Sequence, residues 1–215
     1  MFQLILKDIL LLKKTLLFAA IYIIVMIIFL KQDSAVVFLV SIIAVNYILI
    51  LSACAHDDKN KADILLNSFP LTRRTIVMAR YCSIFVFTII AIAYYLVIAY
   101  ILQMIGPSIQ VHSVSLESII VALCAVIFIN SIYFPVLFKV GFIHSRLVSF
   151  ALFFGTFALV PKFFEQANHP FIQNVVHYLE RLSDVEVMAI VIVAMISLLT
   201  ISFFLSLQFY RKREF

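Results

Sequence analysis

Residues 56–80 read HDDKNKADILLNSFPLTRRTIVMAR, from His56 to Arg80. This is the longest polar interruption in the first half of a 215-residue chain that is 65 % hydrophobic and 13 % charged. Soluble domains are roughly 45–50 % apolar and about a quarter charged. The stretch therefore reads as a loop between two membrane spans. Inside it, 62–68 is a short amphipathic segment and Phe69-Pro70 turns the chain. Thr72 stands where a helix N-cap belongs, ahead of Arg73 and Arg74 and the apolar run that opens at Tyr81.

Outward from this loop lie six apolar runs, at 15–30, 36–55, 81–105, 116–138, 147–160 and 185–210. A bilayer crossing needs about 20 residues, so the fifth run, bounded by Pro161, is short. In lipid every backbone polar group must be satisfied within the protein, and runs without alternation do that as helices. The expected fold is an all-α integral membrane domain filling 1–215, with six transmembrane helices. Residues 1–14 carry Gln3, Lys7 and Lys14 on one helical face and predict a helix lying in the headgroup layer. Residues 162–186 alternate aromatics with charges and predict short re-entrant helices on the outer side. Gly141 marks the turn between the fourth and fifth runs.

Charge sets the orientation. With the N-terminus inside, thirteen of the sixteen Lys/Arg fall on the cytoplasmic side: Lys7, Lys13, Lys14, Lys59, Lys61, Arg73, Arg74, Arg80, Lys139, Arg146, Arg211, Lys212 and Arg213. Lys31, Lys162 and Arg181 fall outside. The expectation is a multi-pass plasma-membrane protein with both termini cytoplasmic. Because the basic residues sit at the ends of apolar runs, the net charge of +5 reports topology, and no nucleic-acid partner is implied. Asp8 among the early basics, with no small-x-small site before 31–33, predicts that the first run is retained rather than cleaved. Cys54, Cys82 and Cys124 lie in or beside apolar runs and read as buried thiols, not a disulfide set.

Enzyme chemistry finds no support. There is no His-Glu-x-x-His, no Gly-x-Ser-x-Gly, and Gly106, Gly141 and Gly155 are too dispersed for a phosphate loop. Cys54 and His56 alone are too few for a metal site. The apolar runs hold no Asp, Glu, Lys or Arg at mid-depth, only neutral polar groups such as Asn46, Thr88 and Asn130. Asn46 and Asn130 suit hydrogen bonds between helices. A second reading places them, with Tyr94, Gln103 and Tyr133, along a substrate path. Ion-coupled carriers keep an ionisable group at mid-depth, so an energy source is expected outside this chain.

Residues 58–77, DKNKADILLNSFPLTRRTIV, resemble the first cytoplasmic loop of small ABC-2 type transporter permeases, with Phe69 where Leu is more usual. Residues 132–142, IYFPVLFKVGF, are similar to that family's Pro-x-x-Phe-Lys-x-Gly at the end of the fourth span, and 210–215, YRKREF, to its basic tail. Among small members the chain looks most like staphylococcal phenol-soluble modulin exporters and lantibiotic-immunity permeases. The resemblance implies an ABC-2, type V exporter-like fold. It implies a half-permease that pairs with a second copy or a homologous permease and binds two copies of a separate ABC ATPase. ATP and Mg would be held by that ATPase, and no cofactor by this chain. On this resemblance the coupling helix rests on Asp58, Lys61, Asp63, Leu65, Leu66, Phe69, Pro70, Arg73 and Arg74. Lys139, His144 and Arg146 form a second cytoplasmic contact. The implied cargo is a hydrophobic or amphipathic molecule, a peptide toxin or antimicrobial. The alternative is a non-transporting scaffold or immunity protein that sequesters peptides; its activity would survive loss of the ATPase, whereas a pump's would not.

Overall fold

The computed structural model describes residues 2–29, 34–62, 72–105, 115–165 and 183–213, all on or beside seven helices. In chain order these are α1 (Phe2–Leu11), α2 (Lys13–Phe29), α3 (Ser34–Lys59), α4 (Arg73–Ile105), α5 (Leu116–Val140), α6 (Phe142–Glu165) and α7 (Asp184–Lys212). The segments at 63–71 and 166–182, which hold most of the expected coupling helix and outer re-entrant helices, lie outside the described residues.

Among the described residues four helices are long and apolar enough to cross a bilayer: Val36–Lys59, Arg73–Met104, Leu116–Val140 and Glu186–Lys212. α1 and α2 meet at a bend of 63° around buried Leu12 and make a fifth crossing if they count as one broken span. The fifth expected run, 147–160, falls in α6, whose stretch Phe142–Gly155 is a shorter apolar helix. The 17 described residues of α2 rise about 26 Å, against a hydrocarbon core of about 30 Å, and count toward a crossing together with α1. α6 continues past Pro161 to Glu165, so that proline does not bound the helix as expected. A proline removes one backbone bond, which a helix can survive.

α3 is the central helix. Phe38, Ile42, Val45, Leu49 and Ala53 recur every three or four residues and are all buried, so one stripe of α3 faces its neighbours. Its apolar window is 61 % buried, against 6 % for α7, which sits at the rim and leaves most of its apolar surface to the bilayer. α3 packs on α2, α4 and α5; α7 packs on α5 and, near its C-terminal end, on α4. Phe38 meets Tyr95 edge to face at 4.9 Å, joining α3 to α4.

The helix ends follow local chemistry. Thr72 Oγ1 accepts from the Thr75 N–H at 3.3 Å, so α4 starts at the expected cap. The basic turn behind it is helical, and at 33 residues α4 is about 50 Å long. It therefore extends beyond the membrane core as one rigid rod. Ser115 caps α5, and Ser183 forms a capping box with Glu186 on α7. α3 ends in a turn where Lys61 takes φ 49°.

Candidate functional site

One end of the bundle gathers the charges. Lys7 on α1 donates to Asp57 Oδ1 on α3 at 2.6 Å and lies 3.2 Å from Asp8 Oδ1. Arg80, two turns into α4, donates to Asp8 Oδ2 at 3.2 Å and to Asp57 Oδ2. The result is a neutral quartet of two cations and two carboxylates joining three helices. The side chains of Asp8, Arg80 and Asp57 are 9 %, 14 % and 15 % exposed, so these charges are largely withdrawn from water. A carboxylate there is tolerable only with bonded partners, and each Asp has both cations within reach. The quartet lines a small cavity of about 70 Å³ together with Cys54, Ile76 and Phe138.

A second junction fastens α4 to α7. Arg73 Nη1 donates to the carbonyls of Tyr210, Arg211 and Arg213, at 3.1, 2.8 and 3.3 Å. The last carbonyls of a helix lack partners within it and carry partial negative charge, so a guanidinium there satisfies both demands. Arg73 also lies over the Tyr210 ring, 6.0 Å from its centre. Phe138 of α5 meets Tyr210 edge to face at 5.3 Å, and Lys139 lies over Phe209. At the α5–α6 turn, Gly141 takes φ 81° and ψ 175°, and a Cβ there would sit 2.9 Å from Arg213 Nη2.

The same region contains a proline inside α5. Pro135 has no N–H, so the carbonyl of Ser131, four residues back, loses its helical donor. Ser202 Oγ on α7 donates to that carbonyl at 2.6 Å. Its oxygen is then left to accept from Tyr81 O–H at 2.6 Å, while Ser206 lies 2.8 Å from the same phenol. A bond the proline removed from one helix is thereby replaced by one that docks another. Ser202→Ala leaves the Ser131 carbonyl and the Tyr81 hydroxyl one partner short and is expected to cost about 1–2 kcal/mol. Ser202→Thr, which keeps the hydroxyl, should restore much of that loss. The thermal midpoints of the two purified variants check this.

Deeper in the bundle, Asn46 Nδ2 donates to Thr88 Oγ1 at 2.9 Å and to the Ile84 carbonyl at 3.2 Å. Asn130 Nδ2 donates to Asn46 Oδ1 at 3.3 Å and to the Val126 carbonyl at 2.8 Å. α3, α4 and α5 are thus joined by amides in an apolar interior, as the interhelical reading expects.

A family profile described as ABC-2 family transporter protein matches residues 3–211. This chain belongs to the ABC-2 transporter family. It is accordingly a multi-pass membrane component of an ABC transporter, associated with an ABC ATPase and not itself the ATPase. Comparison with curated proteins and with solved structures gives no match.

In this ABC-2 protein the residues singled out by sequence separate into groups. Asp58 and Lys61 are exposed at and just beyond the end of α3. Asp63, Leu65, Leu66, Phe69 and Pro70 lie outside the described residues. Arg73 is engaged with the end of α7, whereas Arg74 is exposed on another side of α4. Lys139, His144 and Arg146 are exposed around the Gly141 turn, at the same end of the bundle. Asn46 and Asn130 are brought together. Tyr133 is buried with its ring near Phe134, Tyr94 is half-buried against the core, and Gln103 is exposed toward the opposite end of α4. Cys54 is buried, Cys82 and Cys124 are half-buried, and all three are free.

Sequence reasoning missed the quartet and the Ser202 bond. Asp8 was visible as a lone acid among basics and apolar residues, and Asp57 as an acid at the close of an apolar run. Each announces that a partner is needed. Neither says which cation, because Lys7 and Asp57 are fifty positions apart and Asp8 and Arg80 seventy-two.

Proposed function

We propose that this ABC-2 protein is the half-permease of an ATP-driven exporter in a bacterial plasma membrane, paired with a second copy or a homologous permease and with two ATPase subunits. Its cargo is a hydrophobic or amphipathic molecule, a peptide toxin or antimicrobial. The observation that carries this reading is how the start of α4 is held. α4 follows the polar stretch 63–71 in sequence, and its first two turns are fastened to three other helices. Arg73 joins α4 to α7, and Arg80 joins it to α1 and α3. Any displacement of the loop by an ATPase is therefore delivered to most of the bundle at once.

Other features support the same reading. The N-terminal helix, the loop entry, the Gly141 turn and the C-terminal tail all meet at one end of the bundle. These are the segments that hold thirteen of the sixteen Lys/Arg, so this end is assigned to the cytoplasm. α1 exposes Leu6, Leu10 and Leu11 and is suited to lie at the lipid surface and brace the ATPase contact. Within that contact Leu65, Leu66 and Phe69 are the apolar anchors, with Asp58, Lys61 and Asp63 on the polar rim. Pro70 stiffens the step into α4, and Lys139, His144 and Arg146 supply the second contact. Arg73 acts behind the contact by holding α7. The apolar interior with neutral amides favours an apolar or amphipathic cargo over a small ion.

The experiment is Leu66→Asp, and separately deletion of residues 62–68, with the ATPase co-expressed. The expected result is loss of ATPase co-purification and at least tenfold lower export, with an unchanged gel-filtration profile in detergent. An ATPase that still co-purifies with the deletion variant, and still responds to cargo, removes the docking role.

A further inference from the structure

Arg74 on α4 and Arg211 and Lys212 on α7 line one cleft of about 530 Å³ at the charged end of the bundle, and all three side chains are exposed. Among the described residues none of them forms an ion pair, and no carboxylate lines the cleft. The two acids buried at this end, Asp8 and Asp57, are already occupied by Lys7 and Arg80. Three cations are thus held together without a counter-charge from the described chain. The helix ends that carry them are joined from behind, because Arg73 bonds the Arg211 carbonyl at 2.8 Å.

Arg74 also lines a second cleft, of about 270 Å³, between α4 and α7. Met78, Phe85 and Leu199 line it, and its walls are almost wholly apolar. The eleven steps of helix from Arg74 to Phe85 rise about 16 Å, close to half of a hydrocarbon core of about 30 Å. The groove is as deep as one leaflet. It opens outward beside the poorly buried face of α7.

We propose that this groove is a binding site for an anionic phospholipid, its phosphate held by Arg74, Arg211 and Lys212 and one acyl chain lying against Met78, Phe85 and Leu199. Basic pockets between spanning helices favour anionic headgroups, since each Lys or Arg near the surface adds attraction that a zwitterionic headgroup cancels. The bound lipid joins the first turn of α4 to the last turn of α7. It reinforces from outside the junction that Arg73 makes from inside, and anionic lipid content thereby becomes a determinant of how firmly α4 and α7 move together.

The test uses the full chain, purified in detergent after exposure to equal amounts of phosphatidylglycerol and phosphatidylcholine with matched acyl chains. Lipid retained is read by native mass spectrometry. The wild type should retain phosphatidylglycerol at least fivefold over phosphatidylcholine, a comparison that needs no variant. Arg74→Gln/Arg211→Gln/Lys212→Gln should lower that ratio at least about fivefold with the thermal midpoint in lipid-free detergent unchanged. Equal retention of both lipids by the wild type overturns the site. So does a triple variant that keeps its preference. A triple variant that loses a dimer while retaining phosphatidylglycerol assigns the groove to a second copy and overturns it equally.

Discussion

Arg80→Ala lowers the thermal midpoint of the purified protein by roughly 10 °C, corresponding to about 3–5 kcal/mol. The loss does not measure the worth of the ion pairs, which is small once desolvation is subtracted. It arises because Asp8 and Asp57 remain buried with only Lys7 to share. Two carboxylates against one cation leave an uncompensated charge where water has little access. Asp57→Asn removes a charge from the other side and has a comparable origin. The double variant Arg80→Gln/Asp57→Asn, which restores neutrality with Lys7 and Asp8 still paired, should therefore cost clearly less than the sum of the single changes. A coupling of at least about 1 kcal/mol is expected. Strict additivity in denaturation midpoints would show that the quartet does not act as a unit.

The second large effect is at Gly141. Its φ of 81° and ψ of 175° fall in a region that side chains with a Cβ hardly enter, at a cost of about 1–3 kcal/mol. A new methyl would also meet Arg213 Nη2 at 2.9 Å. That guanidinium can shift, but the carbonyl of Arg213 is one of the three that Arg73 holds. Gly141→Ala is thus expected to destabilise by about 2–3 kcal/mol and to loosen the end of α7 as well. Hydrogen exchange at residues 205–213 should rise in Gly141→Ala relative to wild type, while exchange in the middle of α3 stays unchanged. If the midpoint falls by less than a degree and exchange is unaltered, the turn tolerates a side chain and the close approach to Arg213 has no mechanical consequence.

These effects give a physical meaning to the stretch 132–142 that carried part of the family resemblance. Pro135 frees a carbonyl that Ser202 takes up, Phe138 packs on Tyr210, Lys139 lies over Phe209, and Gly141 brings Arg213 close. Four residues of one motif serve a single purpose, docking α7 against α5. As a string of letters the motif is weak. In the fold it is a contact surface.

What could be read from the chain alone was what depends on neighbours in sequence. Apolar runs specify helices because lipid leaves a backbone no other way to satisfy its amides. The Thr72 cap and the Gly141 turn were legible because each is decided within four residues. The persistence of α6 beyond Pro161 was not, since a helix can survive the loss of one backbone bond. The tertiary structure alone decided the partners: Lys7 with Asp57, Arg80 with Asp8, Arg73 with the end of α7, Ser202 with a carbonyl seventy-one residues away. A poorly solvated charge or carbonyl must find a partner, and sequence shows the need. Which partner answers depends on how the helices cross.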